Sequence, residues 1–450
     1  MTQAFRYREL MVSGSIDRAI LHLGAPAAMS ALLQAGFLVV DAFWLGRVGP
    51  VALAAASTAG FMMWLAQTLG EGAASGSGAV LARAVGESDG GAACRAAAAG
   101  QTLGVWGSAV VSAGGLLVSH VLFAFMRTAP GVTVAGLHYM WVILLGMPAY
   151  FLFAWLSAAF RAVGDAKTPL KLLALAAAVN LATDPILIFG IGPVPALGVT
   201  GAALATVLSW LVASVRGWIL LGRLGLRPAF FAFLKPPRRE TWRALQVGMP
   251  IGLEGALFSL IYILLTRVIT SFGTSAVAAL GVGHKLEVLN YFVCAGMGAA
   301  ASTLVAQNLG AGDRGRAARS AWRALFLTCL PVGAVTVAMV SFPTVAIEVF
   351  SSDGGVIAAG TTYVLLVGPT QLFMAAEVVL LGAFAGAQWT AVPAGLVIGL
   401  TAARIPLAMI LVAAGWGVEA VWFSIAVTTV VKGSLLAILF AFRYGRGYDE

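Results

Sequence analysis

Apolar stretches of about 20 residues or more recur from one end of the chain to the other, each closed by a short cluster of charge, glycine or proline. Runs of that length suit α-helices that cross a bilayer. Strands of an outer-membrane barrel would instead alternate with period two and be far less apolar, so that class is excluded. Breaking the chain at the clusters predicts about twelve helices, over residues 18–46, 51–80, 93–120, 132–159, 170–190, 197–222, 243–271, 276–304, 316–342, 354–384, 391–413 and 417–442. The predicted fold class is therefore all-α and polytopic.

Composition agrees. The 450 residues are 60% hydrophobic and 10% charged, with a mean hydropathy of +0.95, where a soluble domain carries about a quarter charged residues. The net charge of +9 does not point to nucleic acid. Membrane proteins gather Lys and Arg in cytoplasmic loops, which raises the charge without an acidic partner. With the N-terminus in the cytoplasm, one side of the membrane collects Arg6, Arg8, Arg83, Arg95, Arg161, Lys167, Arg223, Arg227, Lys235, Arg238, Arg239, Arg314, Arg316, Arg319, Arg443 and Arg446. The other side holds little beyond Arg47 and Arg127. Both termini are thus expected in the cytoplasm, with the chain multi-pass in the cell (inner) membrane and surrounded by lipid. The segment up to Arg18 has no short apolar core with a small-residue cleavage site, so the first span is expected to act as an uncleaved insertion signal. Cys94, Cys294 and Cys329 are odd in number and lie in or beside apolar segments, which implies no disulfide framework.

The long basic connection from Arg223 to Arg243, with Pro236-Pro237, reads as a cytoplasmic linker. It suggests an N-terminal six-helix lobe over 1–222, a linker over 223–242 and a C-terminal lobe over 243–450. The halves are related in sequence. Gly24-Ala-Pro26 matches Gly248-Met-Pro250, Gly49 to Ala55 matches Gly273 to Ala279, and Ala82, Gly86, Asp89, Gly91 and Arg95 match Ala306, Gly310, Asp313, Gly315 and Arg319, all displaced by 224 positions. Six spans is an even number, so the two halves enter the bilayer in the same orientation. Transporters built from such repeats carry substrate between the halves and rock one against the other.

Six acids fall inside spans: Asp41, Glu71, Asp184, Glu254, Glu287 and Glu377. An acid at mid-bilayer costs about 2.5–3.5 kcal/mol on insertion, so each needs a use. Asp41 is about 7–8 Å from the outer end of the first span and Asp184 about 9 Å from that of the fifth, at 1.5 Å per residue. The two carboxylates therefore share a level. Asn180 is one turn from Asp184 and Gln34 two turns from Asp41, on the same faces. Pro26 and Pro185 each weaken a helix and free a carbonyl, which suits a bend or a backbone oxygen turned toward an ion. Two carboxylates with amide oxygens describe a proton site or a small-cation site, and the same residues, Asp41, Asn180 and Asp184, would be the metal ligands if the cation is Na⁺. Glu254 and Glu377, near mid-depth, are suited to cationic substrates or protons. Lys285 and Glu287 are expected to neutralise each other. The glycines around Glu71 point to close helix packing, and the partner of Arg404 is unreadable.

Several segments resemble the multidrug and toxic compound extrusion (MATE) transporters of the prokaryotic type. They are Gly164-Asp-Ala-Lys-Thr-Pro169, Asn180-Leu-Ala-Thr-Asp184-Pro185, Leu197 to Thr206, Gln307-Asn-Leu-Gly-Ala-Gly-Asp313 and Pro26 to Asp41. The resemblance covers almost the whole chain. It implies two pseudo-symmetric six-helix lobes in a V, and alternating access that exports amphipathic, often cationic drugs against H⁺ or Na⁺. It places the cation site of the N-terminal lobe on Asp41, Asn180 and Asp184, with Gln34 and Tyr139 lining the cavity. Acids used by another branch of the family fall on Glu254 and Glu377, so the pattern is mixed. Ala202 stands where some relatives carry a hydroxyl, which leans toward H⁺. No cofactor beyond the coupling ion is implied, and a monomer is expected, with small organic molecules as substrates.

Three rival classes share parts of this pattern. A lipid-linked precursor flippase of the same superfamily usually has about fourteen spans and a cation-rich cavity. A major facilitator transporter has a loop similar to Gly310 to Arg316, but here the spacing is one residue short. An intramembrane hydrolase using Ser75 or Ser77 with His284 lacks any H-E-x-x-H or paired Gly-x-Gly-Asp motif.

Overall fold

The computed structural model describes residues 5–126, 128–229 and 231–444; Arg127 and Arg446, which entered the charge count above, lie outside them. The first half contains α1 (Arg8–Val12), α2 (Ile16–Val48), α3 (Pro50–Gly86), α4 (Gly90–Met126), α5 (Pro130–Ala162), α6 (Lys167–Phe189) and α7 (Val199–Arg223). The second contains α8 (Arg238–Thr270), α9 (Thr274–Gly310), α10 (Arg314–Ser341), α11 (Pro343–Glu348), α12 (Gly354–Val367), α13 (Gln371–Gly386), α14 (Ala391–Ala402), α15 (Arg404–Ala413) and α16 (Glu419–Tyr444). Among the described residues, twelve spans are long and apolar enough to cross a membrane, with α12 and α13 forming one and α14 and α15 another. Each coincides with a predicted helix.

The repeat holds at the level of helix ends. Shifting α3 by 224 positions gives 274–310, the bounds of α9. The same shift carries α5 onto the span from Gly354 to Gly386, and α6 onto the span from Ala391 to Ala413. The caps repeat as well. Asp89 accepts from Ala92 N at 2.9 Å and Asp313 accepts from Arg316 N at 2.7 Å, each closing the first turn of the following helix. Asp165, in the loop before α6, accepts from Thr168 N at 3.0 Å and from its hydroxyl at 2.6 Å. Proline does not end the helices that carry it: α2 runs through Pro26, α6 through Pro185 and α8 through Pro250. The span holding Glu377 does break, into a short 3-10 turn at Gly368–Thr370.

Where the linker suggested a division in chain order, the packing groups residues across it. One compact unit comprises the chain up to Leu10 together with Met29–Leu253, and the other Met11–Ala28 together with Glu254 onward. Thus the first part of α2 belongs to the second unit and the first part of α8 to the first. Each changeover follows a proline, Pro26 or Pro250, by less than a turn. Glycine explains why the first part of α8 packs in the first unit. A Cβ on Gly72 of α3 would meet Gly248 O of α8 at 2.6 Å, so only backbone fits this crossing. The repeat-related Gly296 of α9 lies equally close to Ala28 of α2 in the second unit. The core of the first unit centres on α5, with Tyr139, Met140, Ile143, Met147 and Phe151 buried. That of the second gathers Leu265, Leu280, Tyr363, Val364 and Trp422.

Candidate functional site

In the first unit, three helices converge on a small polar cluster inside the apolar core. Asp41 comes from α2, Asn180 and Asp184 from successive turns of α6, and Thr206 from α7. The Asp41 carboxyl lies near Asp184, Asn180 and Thr206. Asn180 Nδ2 donates to Asp184 Oδ1 at 3.3 Å. Asp184 is 0% exposed and Asn180 1%. The buried Tyr139 of α5 stands beside both carboxylates. Asp41 Oδ1 and Asp184 Oδ2 are buried and receive no donor. Two carboxylates cannot donate to one another without a proton, so the cluster lacks one positive or donating centre. A proton between the acids fills that role at once. A Na⁺ held by Asp41, Asp184 and the Asn180 carbonyl fills it through oxygen contacts instead. The residues present fit either ion.

The structure thus brings together Asp41, Asn180, Asp184 and Tyr139. It does not add Gln34, which is exposed and about 10 Å back along the α2 axis. Thr206 escaped the sequence reading. It sits one turn after Ala202, whose carbonyl accepts its hydroxyl at 3.0 Å, and it lies near Asp41. Pro185 directly follows Asp184, so the Leu181 carbonyl loses its helical donor next to the cluster. Glu71 accepts from the Tyr150 hydroxyl at 2.9 Å, while Gly70 beside it packs against Phe151 of α5 and Gly72 serves the α3–α8 crossing.

The acids of the second unit are differently engaged. Glu377 of α13 is bound by the Lys432 ammonium of α16 at 2.7 Å, which also donates to Thr401 at 3.2 Å. Lys432 is 2% exposed, so this is a buried ion pair. Glu254 of α8 senses the charges of both. Sequence gave Glu377 no partner, because Lys432 lies 55 positions away on another helix. Arg404, 3% exposed, donates Nε to Thr428 at 2.9 Å, Nη1 to the Tyr262 hydroxyl at 2.7 Å and Nη2 to Thr429 at 3.0 Å.

The expected Lys285–Glu287 neutralisation is corrected. Glu287 accepts from the Tyr363 hydroxyl at 2.9 Å and from Gln371 at 3.1 Å, whereas Lys285 lies over the Phe350 ring. Residues two apart on a helix point to different faces, so the pair cannot meet. Two of the hydrolase residues, Ser77 and His284, are otherwise occupied. The Ser77 hydroxyl bonds Ala73 O of its own helix at 2.9 Å, and His284 packs on Tyr262.

A duplicated, twelve-span helical bundle with buried acids defines a polytopic membrane transport protein rather than an enzyme. The MatE family model matches residues 26–186 and again 250–410, two copies displaced by the same 224 positions, and the chain belongs to that family. It is 29% identical to an FAD transporter of Shewanella oneidensis over 80% of each chain. It is 26% identical to a probable multidrug resistance protein NorM of Thermotoga maritima, over 94% of this chain and 92% of the other. Among solved structures, an outward-facing multidrug resistance MATE family transporter superposes with a TM-score of 0.88 at 21% identity, covering 98% of this chain and 99% of that one. Crystal structures of MATE in a straight and in a bent conformation each match with a TM-score of 0.87, at 22% and 21% identity, over 98% of both chains.

Proposed function

We propose that this chain exports amphipathic organic compounds, often cationic, by alternating access coupled to inward movement of a cation, with H⁺ favoured. Asp41, Asp184 and Asn180 form the coupling site, and Glu254 and Glu377 belong to the substrate-facing polar groups of the second unit. The observation that carries the reading is the pair of buried carboxylate oxygens without a donor, Asp41 Oδ1 and Asp184 Oδ2. One proton satisfies both, and Ala202, where some relatives carry a hydroxyl, adds no further side-chain oxygen for Na⁺. Loading the site changes its hydrogen bonds and biases α2 near Pro26 and α6 at Pro185. Coupling requires only that ion and substrate prefer different states of the protein. The NorM relatives support drugs as the cargo. The excess of basic residues in loops of one side supports a cytoplasmic location of both termini in the cell membrane, and the expected working unit is a monomer.

The deciding experiment is dye efflux from proteoliposomes with pH and Na⁺ gradients imposed in turn. A pH gradient should drive efflux, and Asp41→Asn should remove it at normal expression. Efflux driven by Na⁺ alone assigns the site to Na⁺. Full efflux by Asp41→Asn removes the site assignment altogether. A second reading, export of a flavin nucleotide, is favoured by the FAD-transporter relative and by the buried cation Arg404, which among the described residues is bound only by hydroxyls. Release of FAD, rather than dye, from loaded proteoliposomes separates the two.

A further inference from the structure

The second unit contains a basic cavity that the transport reading does not use. It has a volume of about 510 Å³ and lies between the first turn of α2, Ser15 to Asp17, and Arg316, Arg319, Trp322 and Arg323 of α10. Its charges are only partly spent. Arg323 Nε donates to Asp17 Oδ1 at 2.9 Å, and its Nη2 closes a two-point pair with the other carboxylate oxygen. Arg316 Nη2 is committed to the carbonyls of Met11 and Gly14, yet its Nε is buried without a partner. Arg319 is exposed and forms no ion pair among the described residues. Among the described residues, the only carboxylate lining the cavity is Asp17, and Asp313 is turned to its capping role on α10.

The internal repeat shows what is missing. The counterpart of Arg319 in the first unit is Arg95, which pairs with Glu240 at 2.8 Å. The position related to Glu240 by the same shift of 224 is Ile16. One copy of the corner is closed by its own carboxylate, and in the other an isoleucine leaves the arginine facing a cavity. The amide groups opening α2 add the positive end of a long helix. Trp322 forms a wall held edge-on against Phe440, with ring centroids 5.8 Å apart. Beyond Arg323, α10 turns apolar at Ala324, Leu325 and Phe326, which sets the cavity at headgroup level.

We infer that this cavity binds a phosphate-bearing anion at the membrane surface, with Arg319 and Arg316 as its ligands and the first turn of α2 as its floor. A phospholipid headgroup and free inorganic phosphate present the same chemistry, and basic pockets at this depth suit the former. The test uses the full chain in detergent. Native mass spectrometry follows binding of phosphatidylglycerol against phosphatidylcholine, and thermal unfolding follows inorganic phosphate. Arg319→Gln removes a ligand. Ile16→Glu keeps every arginine but supplies the carboxylate that the first unit has.

Wild type should bind phosphatidylglycerol about fivefold more tightly than either variant, the worth of about one arginine near an anionic surface. Phosphatidylcholine should show no such difference. Stabilisation of wild type by inorganic phosphate, lost in both variants, with no preference for phosphatidylglycerol, makes free phosphate the occupant. Equal binding of both probes by wild type, Arg319→Gln and Ile16→Glu overturns the inference. Melting temperatures without ligand confirm that both variants are folded. Dye efflux under a pH gradient is measured in parallel, because a cavity that fails this test leaves the Asp41 site standing, and the reverse.

Discussion

The two units share a scaffold and differ in chemistry. Shifted by 224 positions, Tyr139 becomes Tyr363, but Asp41 becomes Leu265, Asn180 becomes Arg404 and Asp184 becomes Ala408. Leu265 and Ala408 are both fully buried, so the place of the acid pair in the first unit is filled by hydrocarbon in the second. The second unit instead carries Arg404 among three hydroxyls and Glu377 against Lys432. A closed ion pair is already neutral and satisfied, while the Asp41–Asp184 cluster still needs a donor or a cation. Duplication kept Pro26 as Pro250, Gly72 as Gly296 and the Asp89 cap as Asp313. It left the buried charges free to diverge, because each charge only has to be satisfied within its own unit.

The largest effect that tests this contrast is at the acid cluster. Asp41→Asn should lower gradient-driven efflux to the background of empty liposomes, and adding Leu265→Asp in the same chain should not restore it. Recovery by the double variant would make the units interchangeable. Next comes the ion pair. Lys432→Met leaves Glu377 buried and unpaired, at a cost of about 3–5 kcal/mol. The double variant Lys432→Met with Glu377→Gln should regain most of the lost thermal stability in detergent. If it does not, Lys432 has a role beyond neutralising Glu377.

Packing gives a smaller effect. Gly72→Ala should destabilise the first unit by about 1–3 kcal/mol, because its methyl group meets Gly248 O. Gly60→Ala, which has open space around it, should be neutral or stabilising by about 0.5–1 kcal/mol. Thr206→Val should weaken ion dependence of transport about fivefold, the worth of about one hydrogen bond. Smallest of all, Lys285→Gln should change thermal stability by less than about 0.5 kcal/mol, since Glu287 is held by Tyr363 and Gln371.

The acid pair was legible because its cost is local. A carboxylate in an apolar run stands out along the chain, and helical rise converts position into depth, which put Asp41 and Asp184 on one level. Thr206 was not legible: a threonine in an apolar helix can satisfy itself on its own backbone, as its bond to Ala202 O shows. Gln34 lies outside the cluster for the converse reason. Sharing a face with Asp41 fixes its direction about the axis but leaves it two turns away.

By itself, the sequence determined the twelve spans, the repeat and the residues expensive enough to need a use, because hydropathy, helix punctuation and intramembrane charge are properties of short stretches. Only the tertiary structure decided which helix segments pack together across chain order, that Lys432 answers Glu377, that Arg404 rests on hydroxyls, and that Ile16 leaves Arg319 facing a cavity. Those outcomes depend on contacts between residues tens to hundreds of positions apart. They are set by the steric fit of helix crossings and by the need to satisfy each buried charge, and neither is written in any one segment.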